Sequence, residues 1–354
     1  MTIQRGGPGA GLSLRSAACV LARAAALTLA AGAAQAQAQA PAPATSPAPA
    51  AAPADAAWPN KAIHIIVPFV AGGPTDVQAR WAGQQLTAAL GQAVIVENKA
   101  AAGGVPATEA VLKGPADGYT LLAANPGPVT IAPSVKSNLG YSLRDMAPIL
   151  LIAKTPSCFV VRTGLPVQDF AQFVALAKSK PGSLNYGSPG IGTVGQLTLE
   201  LISTQAGIKL NHIPYRGAAQ YTTDLVGNQL DVATVQVGGC APLAKQGKIK
   251  VLAITGSRRS PLLPDVPTLA ESGLAGYESY NWNGLLAPAG TPPAVLKKIR
   301  DVVAGQIATP QAQELFREQG YEAGSESLDA YGAFLAAEQQ RWAEIAKAAN
   351  IRAE

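Results

Sequence analysis

Short apolar, β-prone runs alternate with segments of helical period along most of this chain, and that alternation narrows its possible folds more than any other feature. Ile63-His64-Ile65-Ile66-Val67 is the first such run, closed by Pro68. A Gly-Gly-Pro-Thr-Asp turn follows. A helix is predicted from about Thr75 to Leu90, with Val77 and Trp81 on one face and Gly91 as its stop. Ala93 to Glu97 reads as the next strand. The turn at Gly103-Gly104 opens a short helix through Leu112, and Tyr119 to Ala123 is a third strand. This βαβαβ rhythm predicts an α/β fold built on a parallel sheet with helices on both faces.

The rhythm then repeats. Strands are expected at Ile149–Ile152 and Phe159–Arg162, split by Thr155-Pro156, and at Leu184–Tyr186, His212–Tyr215, Asp231–Gln236, Val251–Thr255 and Leu285–Ala287. Helical segments at Val167–Lys178 and Val194–Gln205 lie among them. Near the C-terminus Leu328, Tyr331, Leu335, Trp342 and Ile345 recur at helical spacing, a stripe that reads as core packing.

Residues 1–57 have a different character. Arg5, Arg15 and Arg23 are their only basic residues and Asp55 their only acid. An Ala/Leu-rich run from Ala17 to Ala31 leads into overlapping A-x-A sites, so residues 1–38 are expected to be a secretory signal peptide. Cys19 stands at the start of the apolar run, most of which follows it, rather than after the run, which argues against lipid attachment. Residues 39–57 are almost all Ala and Pro, with nothing to bury, and read as a disordered tether. Removing these residues from totals of 27 basic and 22 acidic leaves 24 and 21, a net charge of +3 with no basic block. Nucleic acid is therefore not an expected partner. The remaining 297 residues exceed what one compact core commonly holds, and two lobes are expected. Cys158 and Cys240 lie in this part. An exported chain can hold a disulfide, but no spacing rule joins these two, and they read as two buried small apolar residues.

Enzyme signatures are missing. His64 and His212 sit on strands, away from metal-ligand spacing, and no H-E-x-x-H, C-x-x-C or G-x-S-x-G occurs. No cofactor or metal is expected. Gly190-Ile191-Gly192-Thr193-Val194-Gly195 does fit G-x-G-x-x-G between a strand and a helix, but the next strand ends at Tyr215-Arg216, without the acid a ribose requires. Bare backbone N–H groups at a helix N-terminus bind any small anion, carboxylates included. The loop reads as an anion cradle, the alternative being a glycine turn with no ligand. Phe69-Val70-Ala71-Gly72-Gly73-Pro74-Thr75-Asp76 invites the same reading, with Thr75 or Asp76 as a possible simple helix cap. Both loops fall beyond the carboxyl ends of strands, where open α/β sheets bind ligands.

A series of segments carries a resemblance. Trp58-Pro59-Asn60-Lys61, Ile65-Ile66-Val67-Pro68-Phe69 and Gly72-Gly73-x-x-Asp76 are followed by Val96-Glu97-Asn98-Lys99 and Ala116-Asp117-Gly118-Tyr119-Thr120-Leu121-Leu122. Pro214-Tyr215-Arg216-Gly217, Leu263-Pro264-Asp265-Val266-Pro267-Thr268 and Trp282-x-Gly284-Leu285-x-Ala287-Pro288 come later. Together they resemble the Bug or TctC family, the solute receptors of tripartite tricarboxylate transporters. The resemblance implies a type II periplasmic-binding-protein fold, with two α/β lobes and the ligand cleft between them. Lobe one would be 58–152 plus 283–354 and lobe two 153–282. It implies a monomeric periplasmic receptor that binds a small carboxylate and passes it to the membrane subunits of a transporter. The ligand-binding residues expected are Phe69, Gly72, Gly73, Thr75, Asp76, Asn125, Ser188, Gly190, Gly192, Thr193, Tyr215, Arg216 and Gln236. The chain departs from the family pattern at Ile191, Val194 and Val235, where polar residues are usual. If these face the cleft, a monocarboxylate or aromatic acid is favoured; the other reading puts them in the core. A sensor docking to a signalling protein and an exported enzyme are the alternative functions.

Overall fold

The computed structural model describes residues 58–136, 138–215, 217–324 and 328–351. The expected signal peptide and tether, and Arg216, lie outside the described residues. In chain order the elements are β1 (Ile63–Val67), α1 (Pro74–Leu90), β2 (Val94–Asn98), α2 (Val105–Leu112), β3 (Thr120–Ala124), α3 (Ala132–Val135), β4 (Met146–Val161), α4 (Phe170–Ser179), β5 (Asn185–Ser188) and α5 (Val194–Ala206). Then come β6 (Asn211–Pro214), α6 (Ala218–Val226), β7 (Val232–Gln236), α7 (Val237–Lys245), β8 (Lys250–Ile254), β9 (Tyr280–Pro288), α8 (Pro293–Ile307), α9 (Pro310–Glu318), β10 (Glu322–Ala323) and α10 (Leu328–Ala348).

The strands run in the order β2-β1-β3-β9-β4-β7-β5-β6, with β8 and β10 also paired to β4. The βαβ units are parallel, β1 against β2 and β3, and β5 against β6 and β7. The long strands β4 and β9 run antiparallel to their neighbours, so the sheet is mixed rather than purely parallel. Instead of two strands split by Thr155-Pro156, β4 is one strand of 16 residues. The reason lies in its partners. Pairing with β9 ends at Pro156↔Tyr280, and pairing with β7 begins at Ser157↔Gln236. A proline removes a ladder donor, and here it falls where the strand changes partners. The next N–H, of Ser157, donates to the Thr255 hydroxyl at 2.8 Å.

Each half of the sheet is buried on both faces, which explains the nearly continuous apolar strands. Ile63, Ile65 and Val67 of β1 pack with Ala79, Ala82 and Leu86 of α1 and Val295 and Ile299 of α8. Ile66 turns to the other face, against Val111 of α2 and Tyr331 and Leu335 of α10. In the other half Phe159 and Val161 pack with Phe170 and Phe173 of α4 and Leu199 of α5, while Cys158 and Val160 face Tyr221 of α6 and Val237 of α7. Cys158 and Cys240 form a disulfide there, with Cα atoms 6.5 Å apart. Only the folding of α7 back over β4 brings them together. In the C-terminal stripe Tyr331, Leu335, Trp342 and Ile345 are all buried. Trp342 and Ile345 pack with Val135 of α3 and Leu197 of α5, so α10 touches elements from both halves.

Candidate functional site

A cleft of about 1110 Å³ opens where the two halves meet. One wall is made by Phe69, Val70, Gly73, Pro74 and Thr75 after β1 and by Asn125 and Gly127 after β3. The other is made by Ile191, Gly192, Thr193, Val194 and Gly195 after β5, Ala218 and Ala219 at the start of α6, and Val235 and Gln236 at the end of β7. Ser157 and Asn281, from the strands that run between the halves, also contribute.

The two glycine loops are built alike. Gly72 has φ +83° and Gly192 φ +72°, left-handed conformations that glycine adopts without steric cost. Gly72 N–H donates to Asp76 Oδ2 at 2.9 Å, four residues on. Gly192 N–H donates to Gln196 Oε1 at 2.7 Å, again four residues on. Each loop therefore turns one N–H inward, onto the third residue of the helix it opens, and leaves the first-turn N–H groups beyond it.

Those groups have no intrahelical acceptor. Helices α1, α2, α5, α6 and α7 all begin at the cleft wall. Their N-cap residues, Gly73, Gly104, Thr193, Gly217 and Gln236, make no side-chain capping bond. Thr193 has a hydroxyl, but it donates to Gly190 O at 2.7 Å. Away from the cleft, α4 and α9 are capped by Asp169 and Thr309. Outside the cleft α8, which opens on Pro292-Pro293, also lacks a side-chain cap. Uncapped helix starts converging on one cavity concentrate N–H donors and the positive ends of helix dipoles there.

Of the residues expected at the site, Phe69, Gly73, Thr75, Asn125, Gly192, Thr193 and Gln236 line the cleft. Gly72, Asp76, Ser188, Gly190 and Tyr215 are not among the lining residues; Asp76 and Ser188 are buried, whereas Gly72 is exposed. Asp76 is 3 % exposed and is not the helix cap, since Gly73 holds that position. Its carboxylate accepts from Gly72, Arg80 and Asn98. Burial opposes its ionisation, but Arg80, the Gly72 N–H and Asn98 together outweigh it and hold the carboxyl below the usual range. Ser188 is buried beneath its loop, bonded to Gly190 and His212. Tyr215 donates its hydroxyl to Asp224 at 2.8 Å, and burial together with that carboxylate pushes the phenol up to about 12. Ile191, Val194 and Val235 all line the cleft. Ile191 is 59 % exposed and stands at its lip, whereas Val235, 7 % exposed, is shared with the core.

Sequence reasoning missed Ser157, Thr198, Thr234 and Asn281, which also line the cleft. Ser157 reaches it only through the pairing of β4 with β7, a contact without a local signal. Thr198 lies four residues beyond Val194 on α5, and helical spacing alone would have put the two on one face. Among the described residues no cluster of three or more His, Cys, Asp or Glu is placed to hold a metal ion.

An α/β sheet in two halves with an uncapped, mostly apolar cleft between them defines the class of periplasmic binding proteins. The chain belongs to the tripartite tricarboxylate transporter family of receptors, TctC, whose family model matches residues 78–351. The protein BugT of Bordetella pertussis is 32 % identical over 292 residues, covering 82 % of this chain and 90 % of BugT. Rpa4515 of R. palustris, solved with adipate, superposes with a TM-score of 0.77 at 33 % identity, covering 83 % of this chain and 99 % of that one. MatC (Rpa3494) of Rhodopseudomonas palustris, with bound malate, superposes with a TM-score of 0.73 at 28 % identity, covering 81 % and 99 %. The family is one of substrate-binding receptors, not enzymes.

Proposed function

We propose that this chain is a periplasmic receptor that closes on a small carboxylate with an apolar body, a monocarboxylate or an aromatic acid, and delivers it to the membrane subunits of a tripartite transporter. In this reading lobe one is 58–152 plus 283–354, lobe two is 153–282, and the ligand lies between Phe69, Gly73, Thr75 and Asn125 on one side and Gly192, Thr193 and Gln236 on the other. The observation that carries it is the ring of uncapped helix starts around the cleft. Such a ring offers N–H donors to an anion without an arginine clamp. Val70, Val105, Val135, Ile191, Val194 and Val235 on the same walls support an apolar ligand body. The acids bound by the two structural neighbours, adipate and malate, are the natural reference ligands.

A thermal-shift panel of hexanoate, benzoate, adipate, malate and citrate on the purified protein tests the reading. A ligand at 100 times its dissociation constant adds about 2.7 kcal/mol to stability. Hexanoate or benzoate is expected to raise the melting temperature more than malate or citrate does. Shifts from citrate and malate alone would remove the apolar-acid assignment, and a flat panel would count against carboxylate capture.

A further inference from the structure

His212 lies on β6 beneath the second glycine loop, and both of its ring nitrogens are engaged by residues that hold that loop. Nε2 is 2.7 Å from Ser188 Oγ, and Nδ1 is 3.3 Å from Gln196 Nε2. Ser188 Oγ accepts from Gly190 N–H at 3.2 Å and is 3.0 Å from Gly190 O, to which it donates. Gln196 Oε1 accepts from Gly192 N–H at 2.7 Å.

This chain of bonds determines where the proton sits. The Gly192 N–H requires the oxygen of Gln196, which turns the Gln196 NH₂ toward Nδ1 of the imidazole. Nδ1 must then be an acceptor, and the neutral ring carries its proton on Nε2, donated to Ser188 Oγ. The Ser188 hydroxyl proton is left for Gly190 O. Every group in the relay is satisfied in this one arrangement. A second proton on the imidazole would set an Nδ1–H against the NH₂ of Gln196. Gln196 would have to swing away or turn its amide over, and either move withdraws the acceptor from Gly192.

We propose that neutral His212 is the positioning residue of the second glycine loop, holding Gly190 through Ser188 and Gly192 through Gln196, so that acidification loosens the loop and weakens ligand capture. The capture half of this inference rests on the carboxylate site proposed above; the positioning half does not. The titratable groups that face the ring are Tyr186 of β5, stacked on it with centroids 4.7 Å apart, and Glu200 of α5, which accepts the Tyr186 hydroxyl. Burial holds the imidazole below its ordinary range, in keeping with a ring built to stay neutral.

The test needs no ligand at first. The chain contains two histidines, His64 and His212, so imidazole nitrogen spectra of the ¹⁵N-labelled protein are readily assigned. Near pH 7.5 His212 is expected as the Nε2–H tautomer, and the amide resonances of Gly190 and Gly192 are expected to shift with the midpoint of His212 rather than that of His64. Gln196→Glu places a carboxylate oxygen against Nδ1 and is expected to raise the His212 midpoint. An Nδ1–H tautomer, glycine amides that ignore the His212 titration, or an unmoved midpoint in Gln196→Glu would overturn the positioning role. Calorimetric titration with adipate then reads capture, with affinity expected to fall at least about threefold between pH 7.5 and a pH below the His212 midpoint. A flat affinity while the glycine amides move would overturn the capture half alone. Failure of every acid in the panel to bind at either pH would remove the carboxylate site proposed above, leaving the spectra to decide the positioning role.

Discussion

Thr75 donates its hydroxyl to the amide oxygen of Asn283 at 2.6 Å, a buried bond between residues 208 apart in sequence. Its counterpart in the other half is Thr198 Oγ1, 2.9 Å from Ser279 Oγ and also buried. Thr75 lies in the first turn of α1 and Thr198 lies on α5, the two helices opened by the glycine loops. Asn283 is on β9, and Ser279 immediately precedes it. The two helices that the glycine loops open are thus tied by one threonine each to the same five-residue stretch, 279–283, a short mechanical path between the cleft and the strands that join the halves.

Thr75→Val keeps the shape of the side chain but leaves Asn283 Oδ1 buried without this donor. A buried group stripped of its partner costs about 1–3 kcal/mol, so the denaturant midpoint is expected to fall accordingly. Thr75→Ser, which keeps the hydroxyl, is expected to restore most of it. Equal stability of the Val variant and the parent would show that this bond contributes nothing.

Gly73 and Gly192 separate ligand contact from backbone strain. Gly73 has φ −77°, open to any residue, and an added Cβ meets only Val70 O, at 3.7 Å. Gly73→Val is therefore expected to leave the melting temperature nearly unchanged while placing a branched side chain in the cleft. If two charge-assisted bonds of about 1.5–3 kcal/mol each are blocked, affinity for the best acid of the panel falls at least a hundredfold. Gly192→Val lies in the left-handed region and is expected to lower both affinity and stability. Calorimetry beside melting curves distinguishes them, and full-strength binding by both variants would place the carboxylate elsewhere.

Asp76→Asn tests what the charged carboxylate contributes to the first glycine loop. Its two oxygens accept from Gly72, Asn98 and Arg80, so an amide must point its NH₂ at a donor. A loss of about 1–3 kcal/mol is expected, not the near-equivalence of Asp and Asn at an N-cap. The sign with pH follows from a carboxyl held below its usual range. The stabilisation is complete above the unfolded value of about 3.9 and disappears as pH falls through the folded one. The gap between parent and variant in urea melts should therefore narrow at low pH; a gap independent of pH would deny the carboxylate this role.

Glu338 is 8 % exposed and accepts both Trp282 Nε1 and Trp342 Nε1 on one oxygen. Burial raises its pKa despite Arg341 and the two indoles. An acid with a raised folded pKa favours the protonated form, so its ionisation lowers stability as pH climbs from the unfolded value of about 4.3 through the folded one. Glu338→Gln keeps an acceptor for both indoles and carries no charge. It is expected to be at least as stable as the parent at pH 7.5 and to lose its advantage near pH 4. A clear destabilisation at pH 7.5 would mean that the Arg341 pair outweighs burial.

Much of the fold was legible from local pattern. The apolar run at Ile63–Val67, the stop at Gly91 and the stripe of Tyr331, Leu335, Trp342 and Ile345 report secondary structure because strand and helix periods are set by residues a few positions apart. The glycine loops were legible for the same reason. A strand, a residue free to take positive φ and a helix start are consecutive in the chain, and such junctions collect at one edge of an α/β sheet. The resemblance to the TctC receptors rested on short segments of this kind.

What only the tertiary structure decided are relationships between residues far apart in the chain. Nothing near Thr155-Pro156 signals that β4 continues, because the proline is harmless only where β9 hands over to β7. Cys158 and Cys240 meet because α7 folds back on β4. Thr75 and Ser188 were expected at the ligand site from their loops alone, and only packing shows that the Thr75 hydroxyl donates to Asn283 while Ser188 bonds Gly190 and His212. Local sequence determines which groups can donate and accept. The packing of the two halves determines which of them are already satisfied, and so which N–H groups are left to face the cleft.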